Sequence, residues 1–521
     1  MVILSSFCAS GRPRRSRLPC AVRSRRSSST DRSGHGRDLT ATEAPMKRTS
    51  RMTICLGAAL LGATAALAQE ELLLTDVQIV DVAAGTVTPG QDLLIHNGTI
   101  AELGENLAAP EGAEVFDAMG AFAIPGLWDM HVHVFSSPTE PDTAFDMYLL
   151  NGVTGIRDMG GLLSLEEQRR IAAQVEDGTR RGPRVIPSGA WVDAPPGSWP
   201  GMYLAATPGE ARSRVREIAA LGWPAVKSYS MLASGTYRAL AAEAEAIGLP
   251  LVGHIPEAVT LGEAIAAGQN GMEHWGRVTM ACSTAEAELV AIVQEALASA
   301  DPRSALIAAM QGHNARVLET WDEALCRDTM SAMAGAGLAV SPTLVVADFY
   351  VGARPGPDAL RMRVLTPEVR AAWEQSDFRL EAITDEICAI ADQSIALDHR
   401  TFLMAHEAGV PILASTDASY ANPWIFHGFS LLDELDRYVE IGLTPQEALY
   451  TATVAPPVFL ELLDQDGTLA SGRRADIVLL AANPFEGLAT LREPVAVIAK
   501  GRLIDREALD AMTETLVGQG G

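Results

Sequence analysis

The sequence predicts an α/β protein: a (β/α)8 TIM barrel with a small β-sandwich that both chain ends build. Two observations carry the prediction. The long centre alternates strand-like and helix-like segments, eight of each kind of unit in succession, which suits a closed barrel better than an open sheet. On either side of it the texture changes to short apolar alternations separated by turns, so the two ends are expected to meet in one β-structure.

The first part of the chain belongs to neither. Residues 1–45 are rich in Arg and Ser, as in Arg12–Pro13–Arg14–Arg15–Ser16–Arg17; a misassigned start codon explains them better than a transit sequence, since Met46 sits where the start should be. Met46 opens a different pattern. Lys47, Arg48 and Arg51 precede an apolar run, Met52–Leu67, and Ala66–Leu67–Ala68 supplies an Ala-x-Ala cleavage site before Gln69. Residues 46–68 therefore read as a secretory signal peptide, and the product is expected in the periplasm or outside the cell. After cleavage no membrane association is expected, because no later segment approaches the ~20 apolar residues of a spanning helix.

From Leu72 the chain reads as Leu72–Asp81, Asp92–His96, an Asn97–Gly98 turn and Thr99–Leu103. Residues 69–122 and 464–521 are assigned to the composite sandwich and 123–463 to the barrel. The barrel strands are expected at Ala123–Val134, Val153–Met159, Arg184–Ala190, Ala225–Tyr229, Leu251–Ile255, Gly271–Trp275, Leu338–Val346 and Pro411–Asp417. Helical patterns such as Pro208–Leu221 and Ser234–Ile247 lie between them. Ala281–Gly335 exceeds what one crossover needs and is expected to carry extra helices or a lid. Near the end, Ala475–Leu480 and Val495–Ile498, followed by a Lys500–Gly501–Arg502 turn, return the chain to the sandwich.

Charge narrows the partners. The formal net charge is −25, and residues 1–68 are themselves basic, so the rest is more acidic still. Such a surface repels nucleic acid and anionic membranes. Of the cysteines, Cys282, Cys326 and Cys388 lie beyond the signal; their spacing suggests neither a disulfide scaffold nor a Cys-based zinc site, and leaves room for one bridge. No Gly-x-Gly-x-x-Gly, P-loop, Gly-x-Ser-x-Gly or Cys-x-x-Cys motif occurs, so nucleotide binding, serine hydrolysis and thioredoxin chemistry lack support.

The chemistry is written at strand ends. In His131–Val132–His133, residues two apart on a strand face one side, so both imidazoles converge at the C-terminal rim where barrel active sites lie. Lys227, His254, His274 and Asp417 end the fourth, fifth, sixth and eighth expected strands at that same rim. Tyr229, two residues after Lys227, faces the site on an extended strand, either to donate to an oxyanion or as a packed aromatic. Arg157 ends the second strand, where it either clamps a substrate carboxylate or joins a structural network with Asp158. His427 follows Asp417 on the loop after strand eight, where it can line the pocket. His96, His313, His399 and His406 read as structural or exposed.

Over roughly residues 70–515 the sequence resembles the metal-dependent amidohydrolase superfamily, in particular its imidazolonepropionase-like and Xaa-Pro dipeptidase-like branch. The residues that carry the resemblance are Pro125–Gly126–Leu127–Trp128–Asp129–Met130–His131–Val132–His133, Gly152–Val153–Thr154–Gly155–Ile156–Arg157–Asp158, Val226–Lys227–Ser228–Tyr229, Gly253–His254, Glu273–His274 and Ser415–Thr416–Asp417. Gly467–Thr468–Leu469 through Asp476–Ile477–Val478 matches the return into the sandwich. The resemblance implies that His131, His133 and Asp417 bind the more buried of two divalent ions, most plausibly Zn2+, and that His254 and His274 bind the second. It also implies that Lys227 carries a CO2-derived carbamate bridging the two. Asp417 would further act as the proton acceptor and donor of the reaction.

The function implied is an exported binuclear amidohydrolase, a dipeptidase among the options, that cleaves an amide C–N bond of a dipeptide or N-acyl amino acid with a metal-bridging hydroxide. A lactonase or phosphotriesterase on the same site is the alternative of the same class. A non-catalytic periplasmic binding protein is the alternative of another. The expected partner is a small-molecule amide or peptide, with a homo-oligomer compatible with the sequence. Two positions depart from the family pattern: Ser415, where Gly often precedes Thr-Asp, and Trp275 after Glu273–His274. Neither removes a ligand, and both bear on pocket shape.

Overall fold

A computed structural model describes residues 71–346, 355–356, 358–375 and 385–520, with the side chains of 385–389 excepted. The leader and signal segments lie outside the described residues. Glu71–Asp81 pairs antiparallel with Thr86–His96, which pairs in turn with Thr99–Gly104. The intervening Asn97 and Gly98 both have positive φ, 48° and 77°, as the tight twisted turn of a hairpin demands. Phe122–Pro125 joins this meander to the returning strands: it runs parallel to Glu71–Asp81 and antiparallel to Ile477–Leu480. Ala496–Ala499 and Arg502–Asp505 then extend the sheet to one edge, giving eight strands with Glu114–Asp117.

The sheet curls until its far side meets its own continuation. Ile100 N donates to Arg473 O at 2.8 Å, and Thr99 bridges Arg474. Leu74, Val77, Leu93, Ile95, Ile477 and Ile498 are buried inside the curl. This is the composite β-structure drawn from both chain ends. The last helix, Arg506–Gly520, leaves it and packs Leu509, Met512 and Leu516 with Met147 and Leu149 of the barrel helix Glu140–Leu150.

The expected strand Ala123–Val134 is two strands. Phe122–Pro125 belongs to the curled sheet and Leu127–Val132 opens the barrel, with the break at Gly126. A Cβ at Gly126 would lie 1.9 Å from Thr154 Oγ1, so only glycine lets the chain change sheets this close to the second barrel strand.

The barrel continues with Val153–Asp158, Arg184–Pro187 running on into Ala190–Asp193, Val226–Ser228, Leu251–Gly253, Gly271–Glu273 and Ala339–Ser341. Neighbours pair in parallel, as in Lys227 opposite Trp191 and Val252. Between the fifth and sixth strands the Gln269 amide bridges Gly253 O (3.0 Å) and Gly271 O (2.9 Å). The eighth segment departs from expectation. Pro411–Asp417 is no regular strand and pairs through isolated bridges at Ile412 and Ala418. The reason lies in Asp129, whose carboxylate takes Thr416 N (3.1 Å) and Thr416 Oγ1 (2.6 Å) and pulls the segment out of ladder geometry. Met130 N to Ala414 O (2.9 Å) and Asp417 N to His131 O (2.8 Å) close the barrel there.

The long segment after the sixth strand forms five helices, Gly276–Ala281, Glu286–Leu297, Pro302–Met310, His313–Thr320 and Glu323–Ala336. A disulfide, Cys282–Cys326, ties the start of this insertion to its last helix. Among the described residues no helix is long and apolar enough to cross a membrane.

Candidate metal centre and active site

Parallel strands end on one rim, and that is why residues scattered from 131 to 417 meet. His131 and His133 leave the first strand with their Nε2 atoms 3.1 Å apart. Each Nε2 lies 3.3 Å from Asp417 Oδ1. One ligand atom from each of these three residues falls within 4.8 Å of the others, close enough to share one ion. Across the rim, His254 Nε2 and His274 Nε2 are 3.2 Å apart.

The outward nitrogens explain the inward ones. His131 Nδ1 contacts Glu273 Oε2 at 2.7 Å, and His133 Nδ1 contacts Gly160 O at 2.6 Å. His254 Nδ1 meets Ser230 Oγ at 2.9 Å, and His274 Nδ1 meets Thr343 Oγ1 at 2.7 Å. The carboxylate and carbonyl facing His131 and His133 can only accept, so those two rings carry N–H on Nδ1 and turn Nε2 lone pairs to the rim. The hydroxyls facing His254 and His274 fix the angle of their rings, as outer partners do in metal sites.

Deeper residues hold these partners in place. Arg157 donates to Glu273 Oε1 (3.0 Å), Ser341 Oγ (3.0 Å) and Met130 O (2.7 Å), lacing the first, sixth and seventh strands together. Asp158 accepts from Gly160 N at 2.9 Å and so sets the carbonyl that His133 uses. Backbone strain marks the same rim: His274, Thr343 and Asp417 have φ of 67°, 51° and 63°. Each left-handed residue costs on the order of 1–3 kcal/mol, a cost that tends to collect at functional positions.

Electrostatics favour neutral imidazoles at His133, His254 and His274 and an ionised carboxylate at Asp417. Burial, and after it the Lys227 ammonium, push His133 down to about 4. Burial also takes His274 to about 3 and His254 well below the ordinary range, where His274 adds to the effect. In His131 burial and Lys227 act downward, but Glu273 and Asp417 outweigh them and raise it. Burial alone would raise Asp417; the facing His131 and His133 rings hold it well below the usual carboxylate range instead.

Lys227 is wholly buried and donates to Met159 O at 3.0 Å. Burial lowers its ammonium to about 8, with Glu273 and Asp417 opposing. Tyr229 stacks on His254 with ring centroids 4.1 Å apart, and its hydroxyl accepts a hydrogen bond from Trp199 Nε1 at 2.8 Å.

A cavity of about 170 Å3 opens over the rim. His133, His254, His274 and Asp417 form its floor, Trp191, Trp199 and Tyr229 one wall, and Leu306, Ile307 and Arg303 of the helical insertion another. Ser136, Ser198, Ser419 and Asn422 add polar groups.

Two candidate substrate contacts lie away from the cavity. Arg157 is buried beneath the rim and spends its guanidinium on Glu273, not on a ligand or on Asp158. His427 is 1% exposed and sits between Tyr148 Oη and Glu140 Oε1, both at 2.8 Å, behind the loop it was expected to decorate. Sequence reasoning assigned no role to Glu273, Trp191, Trp199 or Arg303. For Glu273 a signal existed, since a carboxylate in the apolar strand Gly271–Glu273 needs a partner. For the others nothing local tells where a loop side chain will point.

Fold and site together define an α/β barrel with a candidate metal centre at the strand C-termini. Residues 122–504 match the model of the Amidohydrolase family, and the chain belongs to that family. That family is generally metal-dependent. The donor set fits such ions, because four imidazole Nε2 atoms and an ionised carboxylate, ligand types such ions take, converge on one rim.

Sequence likeness to curated relatives is short. A dihydroorotase of Geobacter sulfurreducens is 48% identical over 63 residues, 12% of this chain and 15% of that protein. An adenine deaminase of Listeria monocytogenes is 34% identical over 111 residues, 21% of this chain and 18% of that protein. The chain thus spans under a fifth of these relatives' length. Solved structures match far more widely in fold. A putative prolidase of Bifidobacterium longum aligns over 86% of this chain and 99% of its own, with TM-score 0.57 and 23% identity. A bottromycin amidohydrolase aligns over 86% and 90%, with TM-score 0.64 and 24% identity. A Xaa-Pro dipeptidase with bound methionine aligns over 84% and 100%, with TM-score 0.58 and 19% identity.

Proposed function

We propose that this chain is an exported, binuclear amidohydrolase that cleaves the amide C–N bond of a dipeptide or N-acyl amino acid. The observation that carries the reading is the single rim on which four imidazole Nε2 atoms and Asp417 converge beneath an aromatic-walled cavity. Fold likeness to proteins named prolidase and Xaa-Pro dipeptidase supports a dipeptide substrate. The cleavable segment ending at Ala68 and the disulfide Cys282–Cys326 support export to an oxidising compartment.

His131, His133 and Asp417 would hold one ion and His254 and His274 the other, zinc suiting this mixture of imidazole and carboxylate. Lys227 would bridge them as a carbamate, formed when its neutral amine attacks CO2 and releases a proton. A bare ammonium buried beside two cations would repel both, whereas the carbamate is an anionic oxygen donor. When bound, the two ions supply an acidified water and polarise the scissile carbonyl.

The chain's own groups manage the protons. Asp417 takes a proton from the attacking water as the C–O bond forms, then delivers it to the departing nitrogen as the C–N bond breaks. Tyr229 donates a hydrogen bond from its hydroxyl to the carbonyl oxygen as negative charge develops there, keeping its proton. Its stacking on His254 fixes where that hydroxyl sits.

The test is turnover by purified protein, supplied with zinc and bicarbonate, across dipeptides, N-acyl amino acids, lactones and phosphotriesters. Cleavage confined to the amides is expected. Turnover of lactones or phosphotriesters with amides untouched would overturn the substrate class, and a metal-loaded protein inert to all would point to a binder.

A further inference from the structure

We infer that Trp199 is a positioning residue that aims the Tyr229 hydroxyl at the scissile carbonyl. The inference rests on the oxyanion role proposed above for Tyr229 and adds the device that makes it effective.

The geometry is specific. Trp199 lies on the loop that follows the third barrel strand, and its Nε1–H donates to Tyr229 Oη at 2.8 Å. Both side chains line the cavity. The Tyr229 ring is already confined, stacked on His254 at 4.1 Å and nearly parallel to Trp191 at 5.9 Å with 13° between planes. Stacking fixes the ring but does not by itself set the direction of the O–H about the C–O bond. An indole donor cannot accept, so its arrival on one lone pair forces the phenolic proton to point elsewhere.

The loop that delivers Trp199 is built rather than draped. Asp193 is fully buried, and its Oδ2 accepts from Ser198 Oγ at 2.7 Å, one residue before the indole. Its Oδ1 accepts from Met231 N at 2.8 Å, two residues after Tyr229. One carboxylate thus clamps the loop carrying the donor to the loop carrying the acceptor. Donation to a phenol oxygen also polarises its O–H bond, so the group becomes a better donor to a developing oxyanion.

A double-mutant cycle tests this. Trp199→Phe keeps an aromatic wall and removes only the N–H, while Tyr229→Phe removes the hydroxyl. With the best amide substrate, Trp199→Phe is expected to lower kcat about fivefold, the worth of one hydrogen bond, with KM within about twofold. In the Tyr229→Phe background the same change is expected to cost nothing further. A second readout needs no turnover: calorimetric affinity for a phosphonamidate analogue of a dipeptide should fall by a similar factor in Trp199→Phe, again only when Tyr229 is present. Equal losses in both backgrounds, or a loss confined to KM, would make Trp199 a mere wall and overturn the inference. If Tyr229→Phe lowers kcat while Trp199→Phe does not, the inference fails and the proposed role of Tyr229 stands. If Tyr229→Phe changes neither kcat nor analogue affinity, both fall together.

Discussion

Glu273→Gln is the most informative single change, because it alters one charge and almost no volume. In the native structure Glu273 Oε2 faces His131 Nδ1 at 2.7 Å and Oε1 faces Arg157 Nη2 at 3.0 Å, with both side chains of the Glu273–Arg157 pair at most 2% exposed. The carboxylate stays ionised despite burial, held well below the usual range by Arg157 and His131. Gln offers one acceptor and one donor where two acceptors are needed. If its oxygen serves Arg157, its NH2 confronts His131 Nδ1–H, and the imidazole must move its proton to Nε2, the atom needed as a ligand. If it flips, its NH2 meets the Arg157 guanidinium, donor against donor; in either orientation the neutral amide leaves Arg157 without the buried carboxylate it pairs with.

The magnitudes follow from that choice. Loss of a buried pair's partner costs about 3–5 kcal/mol of stability. Loss of an outer-sphere partner costs roughly 10–100-fold in metal affinity, or about 1.4–2.7 kcal/mol. Denaturant unfolding of the chelated protein gives the first quantity, and competition against a zinc chelator gives the second. Adding Arg157→Met to Glu273→Gln should restore much of the stability without restoring metal affinity. A Glu273→Gln protein within about 1 kcal/mol of wild type that also retains its metal affinity would refute the reasoning.

Lys227→Ala should lose more than an outer-sphere substitution does, at least about a hundredfold in kcat, and short carboxylates such as formate or acetate should restore part of it by supplying the missing bridging oxygens; absence of rescue together with a normal second-metal content would count against the carbamate. Replacing Cys282 and Cys326 by Ala opens a link across a sequence separation of 44 and should cost about 4 kcal/mol in the chain-entropy account, read by urea unfolding with and without reductant. Protein recovered from the periplasm should begin at Gln69 by intact mass; a mature chain retaining residues 46–68 contradicts cleavage after Ala68.

The pattern of what could be read in advance has physical reasons. His131 and His133 were legible because strand geometry sends alternate residues to one side, and Asn97–Gly98 because few dipeptides adopt two positive φ values in succession. His254, His274 and Asp417 could be placed at the rim from strand ends alone, although His274 and Asp417 reach it through left-handed backbone that no periodicity announces. Arg157 illustrates the limit. A charged residue in a buried strand signals a partner, but Glu273 lies 116 residues away and only the closed barrel brings the two together. His427 was misplaced for a related reason: its direction is set by Glu140, 287 residues distant, and not by its own loop. Trp199 depends on Asp193 reaching two loops at once, a tertiary fact with no local trace.

Metal stoichiometry tests the central claim most directly. After reconstitution with zinc and bicarbonate and removal of excess, elemental analysis should find about two ions per chain, falling to about one in His254→Asn and again in His131→Asn. A protein that binds none under those conditions, or whose content is indifferent to both substitutions, contradicts the binuclear centre on which the proposed chemistry depends.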